Sequence, residues 1–187
     1  MKHPLKKFWK FLKEDTWQSW IVSIILIILF IKIIFFPGLS LLTGSSLPLV
    51  VIESCSMYHE SSFEEWWNKN SAFYGLKDIE KSDFEQFNYK NGLNKGDIIL
   101  VLGKDNYNIG DIIIFNAEAK YPLIHRIIST DPISTKGDHN FNQLNIEKEI
   151  PESAIIGKAG LRIPLLGWIK LIFFEPLRPA SQRGFCR

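Results

Sequence analysis

Pro48-Leu-Val-Val-Ile-Glu-Ser54-Cys-Ser56-Met57 is the stretch around which the chain arranges itself. Its first half is an apolar, β-branched run suited to a buried strand, and it stops abruptly at two serines and a methionine. A strand ending this way brings short polar side chains to the rim of a sheet, where a rigid support can present a reactive group. Taken alone, the same residues also describe a polar strand end packed by a methionine.

Downstream, the texture changes twice. Residues 60–94 are rich in Glu, Lys, Asn and aromatics and poor in β-branched residues, which predicts a short helical insertion. Ser62 followed by Glu65 is a capping-box pattern, so one helix is expected from Ser62 to Asn70 and a second from Leu76 to Phe87. After it come Lys95-Gly-Asp-Ile-Ile-Leu-Val-Leu and Ile109-Gly-Asp-Ile-Ile-Ile-Phe, two Gly-Asp turns that each feed a β-branched run. Tyr121 to Ser129, Ile155 to Ile163 and Leu165 to Phe174 read as further strands, with a turn-rich loop from Thr135 to Asn145. Short strands with frequent Gly and Pro turns predict a mainly β domain over residues 47–175, followed by a frayed tail at 176–187.

Upstream lies an anchor. Residues 1–15 carry five lysines interleaved with Phe8, Trp9, Phe11 and Leu12, a basic segment fit to lie on a membrane surface. Residues 16–36 are almost entirely apolar, and about 20 such residues span a bilayer core of about 30 Å. Trp17 and Trp20 stand where an interfacial aromatic belt belongs, and Lys32 is close enough to the end to snorkel. A cleavable signal peptide would have an apolar region of about 7–15 residues and a small-residue cleavage site. This run is longer and ends in Phe35-Phe36-Pro37, so an uncleaved single-pass helix is expected, with residues 37–46 as a linker. Lysines precede the span and no charge lies between Pro37 and Ile52. The positive-inside rule then puts the N-terminus in the cytoplasm and the β domain outside the cell membrane.

A net charge of +2, with no stretch that mixes dense Arg or Lys with stacking aromatics, excludes a nucleic-acid partner. The two cysteines, Cys55 and Cys186, have no metal-site spacing and make no disulfide framework, although a single bridge between them stays open.

A serine hydroxyl needs a neighbouring base to become a nucleophile. Of the four histidines, His3 precedes the span, and His59 and His139 fall in polar loops. His125 differs, lying inside the apolar strand Pro122-Leu-Ile-His-Arg-Ile-Ile. Ser54-Cys-Ser56-Met57 after an anchor, Ile124-His125-Arg126 after a Gly-Asp turn, Thr135-Lys-Gly-Asp138, and Gly157-Lys-Ala with Ile163-Pro-Leu-Leu-Gly occur in that order. Together they resemble signal peptidase I, in particular its archaeal and endoplasmic-reticulum branch, where a histidine stands in the place of the bacterial lysine.

The resemblance implies a signal-peptidase-like β domain and a membrane-bound serine endopeptidase that cleaves signal peptides from exported preproteins without a cofactor or metal. Ser56 would be the nucleophile, His125 the general base and Asp138 its acidic partner, with Ser54 and Met57 beside the oxyanion and substrate. Its implied partners are secretory preproteins, the lipid bilayer and the Sec translocon. The chain departs from the family pattern in three ways. His59 replaces a proline, the helical insertion replaces a short connection, and Leu144 stands where a second aspartate orients the histidine. Asn142 and Asn145 are the other candidates for that role. The missing aspartate also keeps a catalytically inactive subunit of the export machinery as the alternative.

Overall fold

The computed structural model describes residues 4–103, 106–117 and 121–186 and divides into two compact units, 1–42 and 43–187. In the first, α1 (Pro4–Leu12) is followed by α2 (Trp17–Phe30), capped by the Thr16 hydroxyl, which accepts from Ser19 N. A π turn over Ile31–Phe35 joins α2 to α3 (Phe36–Thr43), giving one unbroken helix from Trp17 to Thr43. Its 27 residues are long and apolar enough to cross a membrane. The helix thus runs into the segment expected as a linker. Pro37 lacks the N–H that would bond back one turn, and the widened turn before it, with Phe36 N donating to Ile31 O, absorbs that defect. Gly44, at φ 69°, ends the helix instead.

The second unit is mainly β, as the sequence predicts. Its curled sheet contains β1 (Leu49–Val51), β2 (Ile98–Leu102), β3 (Ile112–Phe115), β4 (Leu123–Thr130), β5 (Ile133–Lys136) and β6 (Ile155–Ile163). The order is β1-β2-β6-β3-β4-β5, with every pairing antiparallel. Both faces of β3 are buried: Ile112 and Ile114 join a core with Ile52, Met57, Leu93 and Val101, while Ile113 and Phe115 join another with Ile127, Ile133 and Ile150. The two Gly-Asp turns are one device used twice. Asn94 N donates to Asp97 Oδ2 at 2.7 Å and Asn108 N to Asp111 Oδ2 at 3.0 Å, and Gly96 and Gly110 take φ of 90° and 91°. An aromatic ring, Trp168 or Phe87, closes over each glycine where a Cβ would clash.

The insertion folds onto the sheet. Ser62 caps α4 (Phe63–Gly75) by accepting from Glu65 N. The helix extends past Asn70 to Gly75, and Asp78, at φ 56°, reduces the second helix to the single turn α5 (Lys81–Phe84). Trp66, Trp67, Tyr74, Ile79 and Phe84 are buried together with Ile128 of β4. Leu165–Phe174 is not a strand. After β6, Leu165 at φ 57° turns the chain into α6 (Trp168–Phe174), of which only Leu171 is buried, the one-sided burial of a helix rather than the alternation of a strand. Nor is the tail frayed, because a Cys55–Cys186 disulfide and an Arg178–Glu53 ion pair fasten it.

Phe84 lies within 5.0–5.4 Å, centroid to centroid, of Trp66, Trp67, Tyr74 and Phe87. Phe84→Ala is expected to destabilise the domain by about 3–5 kcal/mol, the usual loss for truncating a buried aromatic. The sheet and the insertion should still melt in one transition, read by tryptophan fluorescence and far-UV circular dichroism of the protein in detergent. Separate melting of the two signals would show that the insertion is not part of the core.

Candidate active site

β1 and β5 are the two edges of the sheet, yet their downstream ends meet. Ser56, five residues past β1, accepts through its carbonyl from His139 N at 2.8 Å, and His139 follows β5 closely. Curling of the sheet brings these distant segments together. Ser56 Oγ and Ser54 Oγ are 3.1 Å apart, with Ser54 exposed and Ser56 half-buried. Met57, expected beside the substrate, is instead fully buried in the sheet core, while Ser56 before it, in the turn that follows β1, stays half-buried.

His125 sits on β4, 2 % exposed. Its Nδ1–H donates to Glu147 Oε1, which leaves Nε2 as the unprotonated nitrogen of the neutral ring. Nε2 lies 2.8 Å from the point a Cβ on Gly137 would occupy, and the Ser56 carbonyl oxygen lies 2.8 Å from that same point. The absent side chain of Gly137 therefore lets the histidine and the serine segment approach each other.

Glu147 is fully buried at the end of a 3₁₀ turn, Asn145–Glu147. Thr135 Oγ1 also donates to its Oε1, at 3.2 Å, and Leu144 N to its Oε2, at 2.7 Å. Its carboxylate is thus held by three donors from three segments. Sequence reasoning passed over Glu147 because it stands three residues beyond the position the family pattern indicates. The available signal was weak, an acidic residue beside Ile146 just past the turn-rich loop, with Glu149 and Glu152 close behind it as equal candidates. Asn142 and Asn145, the amide candidates, are exposed and make no hydrogen bond to His125.

Asp138, expected to orient His125, is taken up elsewhere. Arg126 Nη2 donates to its Oδ2 at 2.7 Å and Arg126 Nε to its Oδ1 at 3.0 Å, while His59 Nε2–H donates to Oδ2 at 3.1 Å. Successive residues of β4 face opposite ways, so Arg126 and His125 reach different carboxylates. Burial by itself raises the Asp138 carboxyl, but the Arg126 guanidinium and the His59 hydrogen bond hold it well below the usual carboxylate range. His59, in the family's proline position, stacks on Trp66 at 3.7 Å and so ties the insertion to this pair. Beside it Lys136 is buried over Phe73 and Tyr74, donates to Gly137 O at 3.1 Å, and has its ammonium lowered to about 8 by burial. Among the described residues no three His, Cys, Asp or Glu side chains gather as a metal site.

Two curated proteins are similar to the chain. The signal peptidase complex catalytic subunit SEC11 of Eremothecium gossypii is 24% identical over 161 residues, covering 75% of this chain and 74% of that protein. The SEC11 subunit of Komagataella phaffii is 25% identical over 165 residues, covering 75% of each. No protein-family model matches. The resemblance read from the four motifs is therefore found again in comparisons that cover 75% of the chain: it is distantly similar to signal peptidase catalytic subunits of the endoplasmic-reticulum type.

Asp138→Asn is expected to unfold the domain more readily, by about 3–5 kcal/mol, because it leaves Arg126 buried beside a neutral group. A depressed carboxyl stabilises the fold above its unfolded pKa of about 3.9, and that contribution fades as pH falls below it. The wild-type melting temperature should thus drop steeply below about pH 4, and the variant should show a flatter acid limb. Equal melting curves for the two proteins at neutral pH would refute the structural role.

Proposed function

We propose that this chain is a membrane-anchored serine endopeptidase that removes signal peptides from exported preproteins. The observation that carries the reading is the buried Glu147–His125 pair set beside Ser56 across Gly137. The similarity to SEC11 subunits supplies the substrate class.

His125 Nε2 takes the Ser56 proton as Oγ attacks the scissile carbonyl, and Glu147 steadies the imidazolium that results. The developing oxyanion faces Ser54 Oγ and the Ser56 main-chain N–H. As the tetrahedral intermediate collapses, His125 returns its proton to the leaving amine. Water then repeats the cycle on the acyl-enzyme, with His125 again as base. Substrate lies extended along the open edge beside β1, with small side chains in shallow pockets. In this reading Glu147 replaces the aspartate whose absence kept an inactive subunit as the alternative.

The helix from Trp17 to Thr43 serves as the anchor, with the lysine-rich N-terminus in the cytoplasm and the domain outside, next to the Sec translocon. A disulfide at Cys55–Cys186 is consistent with that side of the membrane, since disulfides persist in oxidising compartments.

Purified protein incubated with a preprotein should release a mature chain whose new N-terminus is read by sequencing, and Ser56→Ala should release none. Glu147→Gln keeps the side-chain shape but loses the charge and one acceptor, since its NH2 would face the Leu144 N–H, and is expected to lower kcat on the order of 10²-fold or more. Gly137→Ala puts a methyl between Nε2 and the Ser56 carbonyl, and a misplacement of about 1 Å can cost about 10²-fold. If Glu147→Gln cleaves at the normal rate, the histidine is oriented by something else. For topology, a membrane-impermeant amine reagent added outside intact cells should label the exposed Lys69 and Lys77, and protection of both until the membrane is opened would reverse the assigned orientation.

A further inference from the structure

β1 ends at Val51, and Ile52 makes the last ladder-like bonds, with its N donating to Asp97 O at 2.9 Å and its O accepting from Gly96 N at 2.8 Å. Glu53, Ser54 and Cys55 then leave the sheet and lead into Ser56. The chain's far end fastens them. Arg178 Nη1 donates to Glu53 O at 3.2 Å and its Nη2 pairs with the Glu53 carboxylate, which also receives Lys170 Nζ at 2.8 Å. Cys55 is covalently joined to Cys186, 131 residues away in sequence.

The fastening segment is itself braced. Buried Lys95 donates to Glu175 Oε2 at 2.9 Å and to Gln182 O at 2.7 Å, and Gly184 N donates to Glu175 Oε2 at 2.7 Å. Phe185 packs on Trp168 with centroids 4.4 Å apart. Residues 175–186 thus form a strap fixed to the Lys95-Gly-Asp97 turn at one point and to Glu53 and Cys55 at the other. The nucleophile segment hangs between this strap and the loop after β5, where His139 N donates to the Ser56 carbonyl.

We propose that the C-terminal strap positions the nucleophile segment, and that an external dithiol which opens the Cys55–Cys186 bridge slows turnover. The proposal rests on the reading of Ser56 as nucleophile. One thiolate of the dithiol attacks a bridge sulfur to form a mixed disulfide, and its second thiolate then closes a cyclic disulfide. The dithiol is oxidised, and the bridge gains two electrons and two protons as the Cys55 and Cys186 thiols. Both cysteines are half-buried, so the bridge is within reach of a small reagent. Because the Arg178–Glu53 pair survives reduction, the segment loosens without being released, and the loss is partial.

The test uses the full chain in detergent micelles, with preprotein cleavage and the rate of Ser56 labelling by a fluorophosphonate as two readouts. Dithiothreitol treatment should lower kcat and the labelling rate roughly tenfold, within the range that misplacement of a reacting group produces, with little change in KM. Reoxidation should restore both. Cys186→Ser should match the reduced wild type and gain no further sensitivity to dithiothreitol, and Arg178→Gln should deepen the loss in reduced protein. Unchanged kcat and labelling, with both thiols free by mass spectrometry, would overturn the proposal. So would loss of the far-UV circular dichroism signal on reduction, which would make the bridge a prop of the whole fold. If oxidised wild type shows neither Ser56-dependent cleavage nor labelling, the peptidase reading itself fails, and the strap with it as a catalytic device.

Discussion

Arg126 is a guanidinium with no exposure to solvent, and the domain is arranged to satisfy it. Each of its five N–H groups has a partner: Nε meets Asp138, Nη1 donates to Asn88 O and Gly110 O, and Nη2 donates to Tyr89 O and Asp138. Those acceptors come from the end of the insertion, the turn before β3 and the loop after β5. Burying a charge costs several kcal/mol unless it is paired and fully hydrogen-bonded, so these segments must all arrive together. The guanidinium also lies 4.7 Å over the Phe84 ring, which couples it to the aromatic cluster.

That constraint shapes the candidate site next door. With Asp138 pinned by Arg126, the backbone of Gly137 and His139 is fixed, and His139 N holds the Ser56 carbonyl. On β4 the adjacent residue, His125, must then point the other way, toward Gly137 and Glu147. The insertion belongs to the same arrangement: Trp66 Nε1 donates to Asp138 O at 3.3 Å, Tyr74 OH to Asp138 Oδ1 at 3.4 Å, and His59 fills the space between. What looks in sequence like an appendage is packing around a buried ion pair.

The long apolar helix, the β-branched strands after Gly-Asp turns and the Ser62 cap were legible in the sequence because each has a local cause. Ser56 and His125 were singled out only through motif order. The helix through Pro37 was hidden by a residue that ordinarily ends helices, and α6 by an apolar run as compatible with a strand as with a helix. Asp138 was misassigned for a longer-range reason. Nothing in Thr135-Lys-Gly-Asp reveals that a buried arginine twelve residues earlier claims the carboxylate, nor that Cys186 returns to Cys55. Such pairings are properties of the curled sheet.

The two buried carboxylates show why one could not do the other's work. Asp138 has both oxygens occupied by Arg126, His59 and Tyr74, so it has no lone pair aimed at His125. Glu147 lies on the opposite side of β4, where no arginine competes, and its remaining donors are a hydroxyl and a backbone N–H. In the proposed reading, a carboxylate with no guanidinium bonded to it leaves Oε1 for the imidazole and steadies the imidazolium formed during attack, with the Lys136 ammonium acting on it only through space. Asp138, already neutralised by a guanidinium, offers much less of that stabilisation wherever it is placed. A one-turn 3₁₀ helix puts the longer glutamate side chain in reach from three residues farther along the chain. The carboxylate that is missing at Leu144 is thus supplied, in the proposed reading, from the next turn, and the different surroundings of the two acids follow from where the arginine sits.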